Sequence, residues 1–289
     1  MLNKTDNAMK TILLPTDFSL NAKHAADFAV SLAGLIDAKI ILLHAYESPV
    51  STTPFVLPLP QQGLMQEALE ETRTLLAQTK EDMQAKYGDV LANKLETKLV
   101  FGNPVDNILE AAAEVRADFL VIGSLGEGGI LANLFGSTAL SIAQKSTIPV
   151  WVIPQQSTIQ AIKEVIYASD LEGDEVGCIN KIINMGELLG INHTKLVHVK
   201  EYLSPEVFPS SEIIDLLEEE FGGEKIIFRN LYRDDTIVGI DKYIRNQKPD
   251  AVILAQRPKG FVEKLFHESI IKHLTLSSQI PLLVLQKKY

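Results

Sequence analysis

Cysteine is nearly absent: Cys178 stands alone in 289 residues, so no disulfide can form within the chain. No Cys/His cluster has zinc-ligand spacing either. Both facts suit a reducing cytoplasm. Basic excess is missing too. Lys and Arg number 27 against 37 Asp and Glu, a net charge of −10 that is spread over the whole chain. Sequence-independent gripping of nucleic acid needs a basic surface, so that class is set aside. No apolar run approaches the roughly 18 residues of a membrane span. The first residues also lack an apolar core of signal-peptide length. Residues 1–8 are polar and read as a disordered stretch ahead of Met9, either a loose leader or an upstream start. What is present is ordinary globular composition, 46% apolar and 22% charged, where a disordered chain would hold fewer apolar residues. The length fits two ordinary domains or one large one.

The chain repeats itself. An apolar run ending in a small polar residue and an aspartate, Thr11 to Asp17, returns as Glu164 to Asp170. Lys39 to Ala45 returns as Thr194 to Val199, Ala117 to Gly123 as Pro249 to Ala255, and Ser146 to Ile153 as Ser278 to Leu285. Four matches in one order indicate a duplication, with units over residues 9–154 and 159–289 joined through the polar stretch 154–158. The matched runs are short and continuously apolar, as strands buried on both faces of a parallel sheet are. Helical patterns lie between them: Asn21 to Leu35, Gly63 to Tyr87, Pro104 to Glu114 and Gly136 to Lys145 in the first unit. In the second they run Glu175 to Leu189, Ser211 to Glu220, Ile237 to Asn246 and Glu263 to Leu274. Asn103 before Pro104 is a good helix cap followed by proline at the first helical position. Strand–helix alternation with buried strands predicts an α/β fold: two doubly wound sheets, each of five parallel strands. Pro49 to Pro60 breaks the pattern with four prolines, which no central strand or helix accepts. It reads as a long βα loop at the ligand edge of the sheet, either a lid or docking loop or a tolerated surface insertion.

Chemistry concentrates in Gly123 to Thr138. Gly123 ends a buried strand, and Gly136, Ser137 and Thr138 open a helix. Glycines let backbone N–H groups approach an anion without a side chain between. A helix N-terminus offers unpaired N–H donors and partial positive charge. The segment can therefore hold an anion. It is not a P-loop, because no lysine follows a glycine at the required place. Nor is it the dinucleotide fingerprint, which belongs after the first strand of its unit. His44 and His198 end apolar strands and read as structural. No aspartate, histidine and hydroxyl group stands out as a catalytic set, and Asp17 alone could cap the following helix.

The spacing G-x2-G-x9-G-[ST] is complete at Gly123, Gly126, Gly136 and Ser137. With Ile12 to Ser19 (ILLPTDFS), Leu42 to Glu47 (LLHAYE) and Gly102-Asn103-Pro104, the chain resembles the ATP-binding class of the universal stress protein family, taken as two copies. The resemblance implies the adenine nucleotide alpha hydrolase-like fold, and a stress-response role as sensor or adaptor rather than metabolic enzyme. It implies that Asp17, beside Pro15 and Thr16, hydrogen-bonds the ribose hydroxyls of a nucleoside. Ala45 would meet adenine through its backbone. Gly123 with Ser124, Gly126 and Gly136 would wrap the phosphates, and Ser137 and Thr138 would donate to phosphate oxygens. ATP would bring magnesium with it, although no carboxylate pair marks a metal site. Many members carry a basic residue where Glu127 stands, and a carboxylate there opens the choice to ADP or AMP. The second copy has lost the motif: Ala255 and Pro258 replace the first two glycines, and His267 or Glu268 stands near the third. It is expected to bind no nucleotide in the same way, with Asp170 a cap or relic. Its role would be that of a built-in dimer partner, pairing Leu282 to Leu285 with Val150 to Ile153 as last strands pair in the family. A homodimer of such pseudo-dimers could form beyond this. Two other readings stay open: a slow ATPase or other adenine-nucleotide hydrolase, and a ligand-free scaffold. A relative of the ATP-pyrophosphatases would carry an S-G-G-x-D-S loop after its first strand, where this chain reads PTDFSLN.

Overall fold

The computed structural model describes residues 9–47, 61–124, 136–171, 173–201, 210–223, 226–233, 235–256 and 279–287. The first half runs β1 (Thr11–Pro15), α1 (Leu20–Ile36), β2 (Lys39–Tyr46), α2 (Gln61–Tyr87), a 3-10 turn (Gly88–Leu91), β3 (Leu95–Phe101), α3 (Pro104–Glu114), β4 (Phe119–Gly123), α4 (Ser137–Lys145) and β5 (Val150–Ile153). The second half runs β6 (Glu164–Ser169), α5 (Glu175–Leu189), β7 (His193–Glu201), α6 (Ser210–Phe221), β8 (Ile226–Arg233), α7 (Thr236–Gln247), β9 (Ala251–Gln256) and β10 (Leu282–Gln286). Seven of the eight helices expected from sequence are present, with ends shifted by two residues at most. The eighth, Glu263 to Leu274, lies outside the described residues, as do residues 1–8 and the Pro49–Pro60 stretch.

The strands form one sheet of ten, ordered β3-β2-β1-β4-β5-β10-β9-β6-β7-β8. Each half contributes five parallel strands in the same internal order. The halves meet edge to edge where β5 and β10 run antiparallel, with Trp151 opposite Leu283. This is the pairing of last strands expected of an intrachain pseudo-dimer, and it merges the two five-stranded sheets into one. In the first half the chain steps outward from β1 to β2, then returns to place β4 on the other side of β1. That reversal opens a crevice beyond the C-terminal ends of β1 and β4.

Alternate residues of each strand face opposite layers. Ile12, Leu14, Val121, Trp151 and Ile153 pack under α1 with Phe28, Ala29 and Leu32, while Leu13, Leu120, Ile122 and Val152 pack against Ile108, Ala111, Ile142 and Ala143 of α3 and α4. Both layers continue into the second half. Each such fully buried aliphatic side chain contributes about 1.5–3 kcal/mol. Local chemistry sets the helix starts. Ser19 caps α1 by accepting from the Ala22 amide, and Asn103 caps α3 by accepting from Val105 and Asp106 with Pro104 following. Asp174 and Asp235 cap α5 and α7.

Candidate functional site

The crevice is built first by a turn at the end of β1. The Thr16 amide donates to the Leu43 carbonyl at 2.8 Å, continuing the ladder one step past the strand. The Thr16 hydroxyl oxygen accepts from the Phe18 amide at 3.0 Å, and this fixes Phe18 in the left-handed region at φ 65°. Asp17 Oδ1 accepts from the Ser19 amide at 3.1 Å, which places Ser19 to cap α1. Asp17 is thus two residues short of the cap position and half-buried. His44 braces the turn from β2: its Nδ1 bonds the Thr16 carbonyl at 2.7 Å, and its ring stacks on Phe18 at 4.6 Å. His44 plays this bracing part from within β2, two residues before the strand's end rather than at it. Ala45 lies within β2, level with Val100 of β3.

The second part is a neck at the end of β4. Gly123 and Ser124 are buried beside β1. A Cβ on Gly123 would stand 2.5 Å from Asn21 Nδ2 and 3.1 Å from the Asn21 carbonyl oxygen, so only glycine lets α1 lie this close to β4. The Ser124 amide donates to the Ile153 carbonyl at 2.9 Å, and the Ser124 carbonyl accepts the Gly136 amide at 2.8 Å. That second bond joins Ser124 directly to Gly136 and forms the neck. Gly126 and Glu127 lie outside the described residues. Gly136 is the N-cap of α4, with no side-chain cap bond and no acidic residue in the first turn. Ser137 is exposed and Thr138 half-buried there. The α4 N-terminus therefore presents its dipole to the crevice with no carboxylate on the helix itself to neutralise it. Pro15, Thr16, Asp17, Ala45, Gly123, Ser124, Gly136, Ser137 and Thr138 thus gather at one edge, at the ends of the neighbouring strands β1, β2 and β4 and at the start of α4. The arrangement suits an anionic ligand lying across β1 and β4. Among the described residues no group of three or more His, Cys, Asp or Glu side chains could hold a metal.

The second half repeats the turn and then departs from it. Ser169 Oγ accepts from the Leu171 amide at 2.9 Å, Leu171 is left-handed at φ 57°, and His198 Nδ1 bonds the Ser169 carbonyl at 3.0 Å. Asp170, however, is neither relic nor helix cap, the cap being Asp174. Its side chain is 1% exposed and accepts from Lys287 Nζ at 2.7 Å. The same ammonium donates to Glu175, the first residue of α5, which also accepts from the Ser169 hydroxyl at 2.6 Å and the Tyr167 hydroxyl at 2.9 Å. Burial pushes the Tyr167 hydroxyl well above its ordinary value and the neighbouring Cys178 thiol up to about 11. Burial alone would lower Lys287, but Glu175 and Asp170 hold its pKa above the usual lysine value. Sequence reasoning missed Lys287 and Glu175. A lysine in a QKKY ending reads as solvated, and no spacing marks its partners. Ala255, standing for the first glycine, is buried in β9, and Pro258, His267 and Glu268 lie outside the described residues.

Comparison with known proteins bears on the same half. The model of the universal stress protein family matches residues 9–154. A universal stress protein of Methanocaldococcus jannaschii is 30% identical over 156 residues, covering 53% of this chain and 86% of that protein. One of Thermus aquaticus is 31% identical over 147 residues, covering 50% of this chain and 98% of that protein. Among solved structures, a universal stress protein from Archaeoglobus fulgidus superposes with a TM-score of 0.69 over 96% of this chain and 98% of its own. At 17% identity this is a likeness of fold across both halves.

Proposed function

The chain belongs to the universal stress protein family, and from that premise we propose that its first half binds an adenine nucleotide and serves stress response as a sensor or adaptor. The observation that carries the proposal is the neck between Ser124 and Gly136, which sets an uncapped helix N-terminus beside the Thr16–Ser19 turn. An anion at that helix end gains the α4 amides and dipole, and the glycine spacing continues the same cradle. Asp17 would take the ribose hydroxyls, the Ala45 backbone would meet adenine, and Gly123, Gly126 and Gly136 would follow the phosphates. Ser137 and Thr138 would add hydroxyl donors. The ligand is ATP, or ADP or AMP where Glu127 disfavours the third phosphate, and magnesium would arrive with ATP. The reading is of binding rather than turnover, because every group named holds or orients the ligand. The division into a binding unit at 9–154 and a companion unit at 159–289, and a cytoplasmic setting, belong to the same proposal.

The test is isothermal titration of the full chain, stripped of nucleotide, with ATP and magnesium, followed by ADP and AMP. One site per chain, lost in Gly136→Glu, is the expected outcome. Two sites would place a ligand in the second half. No heat with any of the three would overturn the proposal and leave a scaffold. Phosphate release measured on the same sample separates a binding protein from a slow ATPase.

A further inference from the structure

The two halves build the same turn but leave it in opposite states. In the first, Asp17 is half-buried at the crevice. In the second, the matching Asp170 is sealed beneath Lys287, whose side chain is fully buried. Strand register shows where the difference arises. Gly123 pairs with Ile153 of β5, and its counterpart Ala255 pairs with Leu285 of β10. Two residues further on, the first half has Gln155, exposed to solvent, and the second has Lys287, 1% exposed. The position that is exposed to solvent in one half is buried against the turn aspartate in the other.

The lysine is held there from several sides. Asp170 at the end of β6 and Glu175 on α5 accept from its ammonium. Tyr167 and Ser169 donate to Glu175 and fix its carboxylate. The Lys287 amide donates to the Gln256 carbonyl at 2.7 Å, and Lys181 Nζ donates to the Gln286 carbonyl at 2.6 Å, so the peptide group leading into the plug is tied down at both its N–H and its C=O. A ligand seeking Asp170 would have to displace an ammonium that already satisfies it, and would leave that ammonium buried without its partner.

We propose that Lys287 is an internal ligand, a cationic plug that closes the second half's counterpart of the site and confines ligand binding to the first half. Loss of the glycines removed the phosphate cradle, and the plug removes the nucleoside side as well. The inference depends on the nucleotide reading of the first half only for what kind of pocket has been closed. The plug itself can be tested without nucleotide.

Cys178, the sole cysteine of the chain, lies fully buried one helical turn from Glu175 and reports on the plug directly. Trp151, the sole tryptophan, is buried in β5 opposite β10 and reports on the fold around the junction. The variant Glu175→Gln leaves one carboxylate facing one ammonium. Adding Lys287→Ala to it empties the position while avoiding a pair of uncompensated carboxylates. Native-state labelling of Cys178 by a thiol reagent is expected to run at least ~10-fold faster in the double variant than in Glu175→Gln, through local opening at unchanged Trp151 emission. Equal rates at unchanged emission would overturn the plug, whether or not ATP binds the first half. A measurement on the unaltered chain guards against a variant that does not fold. Adenosine or ATP with magnesium at millimolar concentration is expected to leave the Cys178 labelling rate unchanged. A nucleotide-dependent change would put ligand in the second half and overturn the proposal.

Discussion

A single absent methyl group at Gly123 joins packing to the proposed binding site. The Cβ of an alanine there would meet both the side chain and the carbonyl oxygen of Asn21, which is 3% exposed near the start of α1. The amide could rotate, but the backbone oxygen at 3.1 Å moves only if α1 moves. Gly123→Ala is therefore expected to lower stability by about 1–3 kcal/mol, the cost of overfilling a packed core. Urea unfolding of the ligand-free chain measures it. A variant with unchanged midpoint and weaker nucleotide binding would show that this glycine serves the ligand alone. The glycine spacing marked Gly123 as a candidate site residue but hid its packing role, because the contact with Asn21 spans about a hundred residues of sequence. The same holds more strongly for Lys287. Whether a lysine near a chain end is solvated or buried depends on which carboxylates the fold brings to it, and Asp170 is 117 positions away. The turns at Thr16 and Ser169 were easier to read, since each hydroxyl bonds an amide two residues on.

At the scale of elements, legibility followed burial. Strands β1, β2, β4 and β5 carry unbroken apolar runs because both faces are covered, and the duplication made them visible twice. The outer strands β3 and β8 did not stand out. Their sequences, LETKLVF and IIFRNLYR, mix charged and apolar residues because each, among the described residues, is hydrogen-bonded to a strand on one side only and is partly exposed. The five strands per half expected from length were present, but the third of each was not located. The junction strands were legible as apolar runs, and the family resemblance supplied their pairing. Its strength can be tested at Leu283, fully buried opposite Trp151. Leu283→Ala opens a cavity in the seam and is expected to cost 2–5 kcal/mol, about the range for deleting a buried leucine side chain. Because β5 and β10 share the sheet's middle, the loss should appear as a lower urea midpoint followed by Trp151 emission. An unchanged midpoint would mean that the seam contributes little to holding the halves together.

The molecule as a whole carries its buried protons unevenly, and this sets how it should respond to alkali. In the second half Tyr167, Cys178 and Lys287 lie in one fully buried cluster, each with its pKa raised on folding. In the first half Lys86 is pushed up to about 12 by its bond to Asp27 but stands exposed where salt and water screen it, and burial raises Tyr87, which is only half-buried. For a group whose folded pKa is raised, the native state keeps a proton that the unfolded chain gives up. The contribution is complete below the unfolded pKa and disappears as pH rises through the folded one. The unfolded values are about 8.5 for cysteine, 10 for tyrosine and 10.4 for lysine. Stability should thus be level near neutrality, begin to fall at about pH 8.5 as the unfolded thiol ionises, and steepen above about pH 10. Each group adds a slope of about 1.4 kcal/mol per pH unit. The net charge of −10 also grows more negative in alkali, and self-repulsion would destabilise the fold in the same direction. Salt separates the two causes. Urea midpoints taken from pH 7 to 11 in low and high salt should keep the steep fall if the buried cluster causes it, and lose it if repulsion does. Cys178→Ala should then delay the onset by removing the first group to titrate, and a curve unmoved by that substitution would show that the cluster does not govern alkaline unfolding.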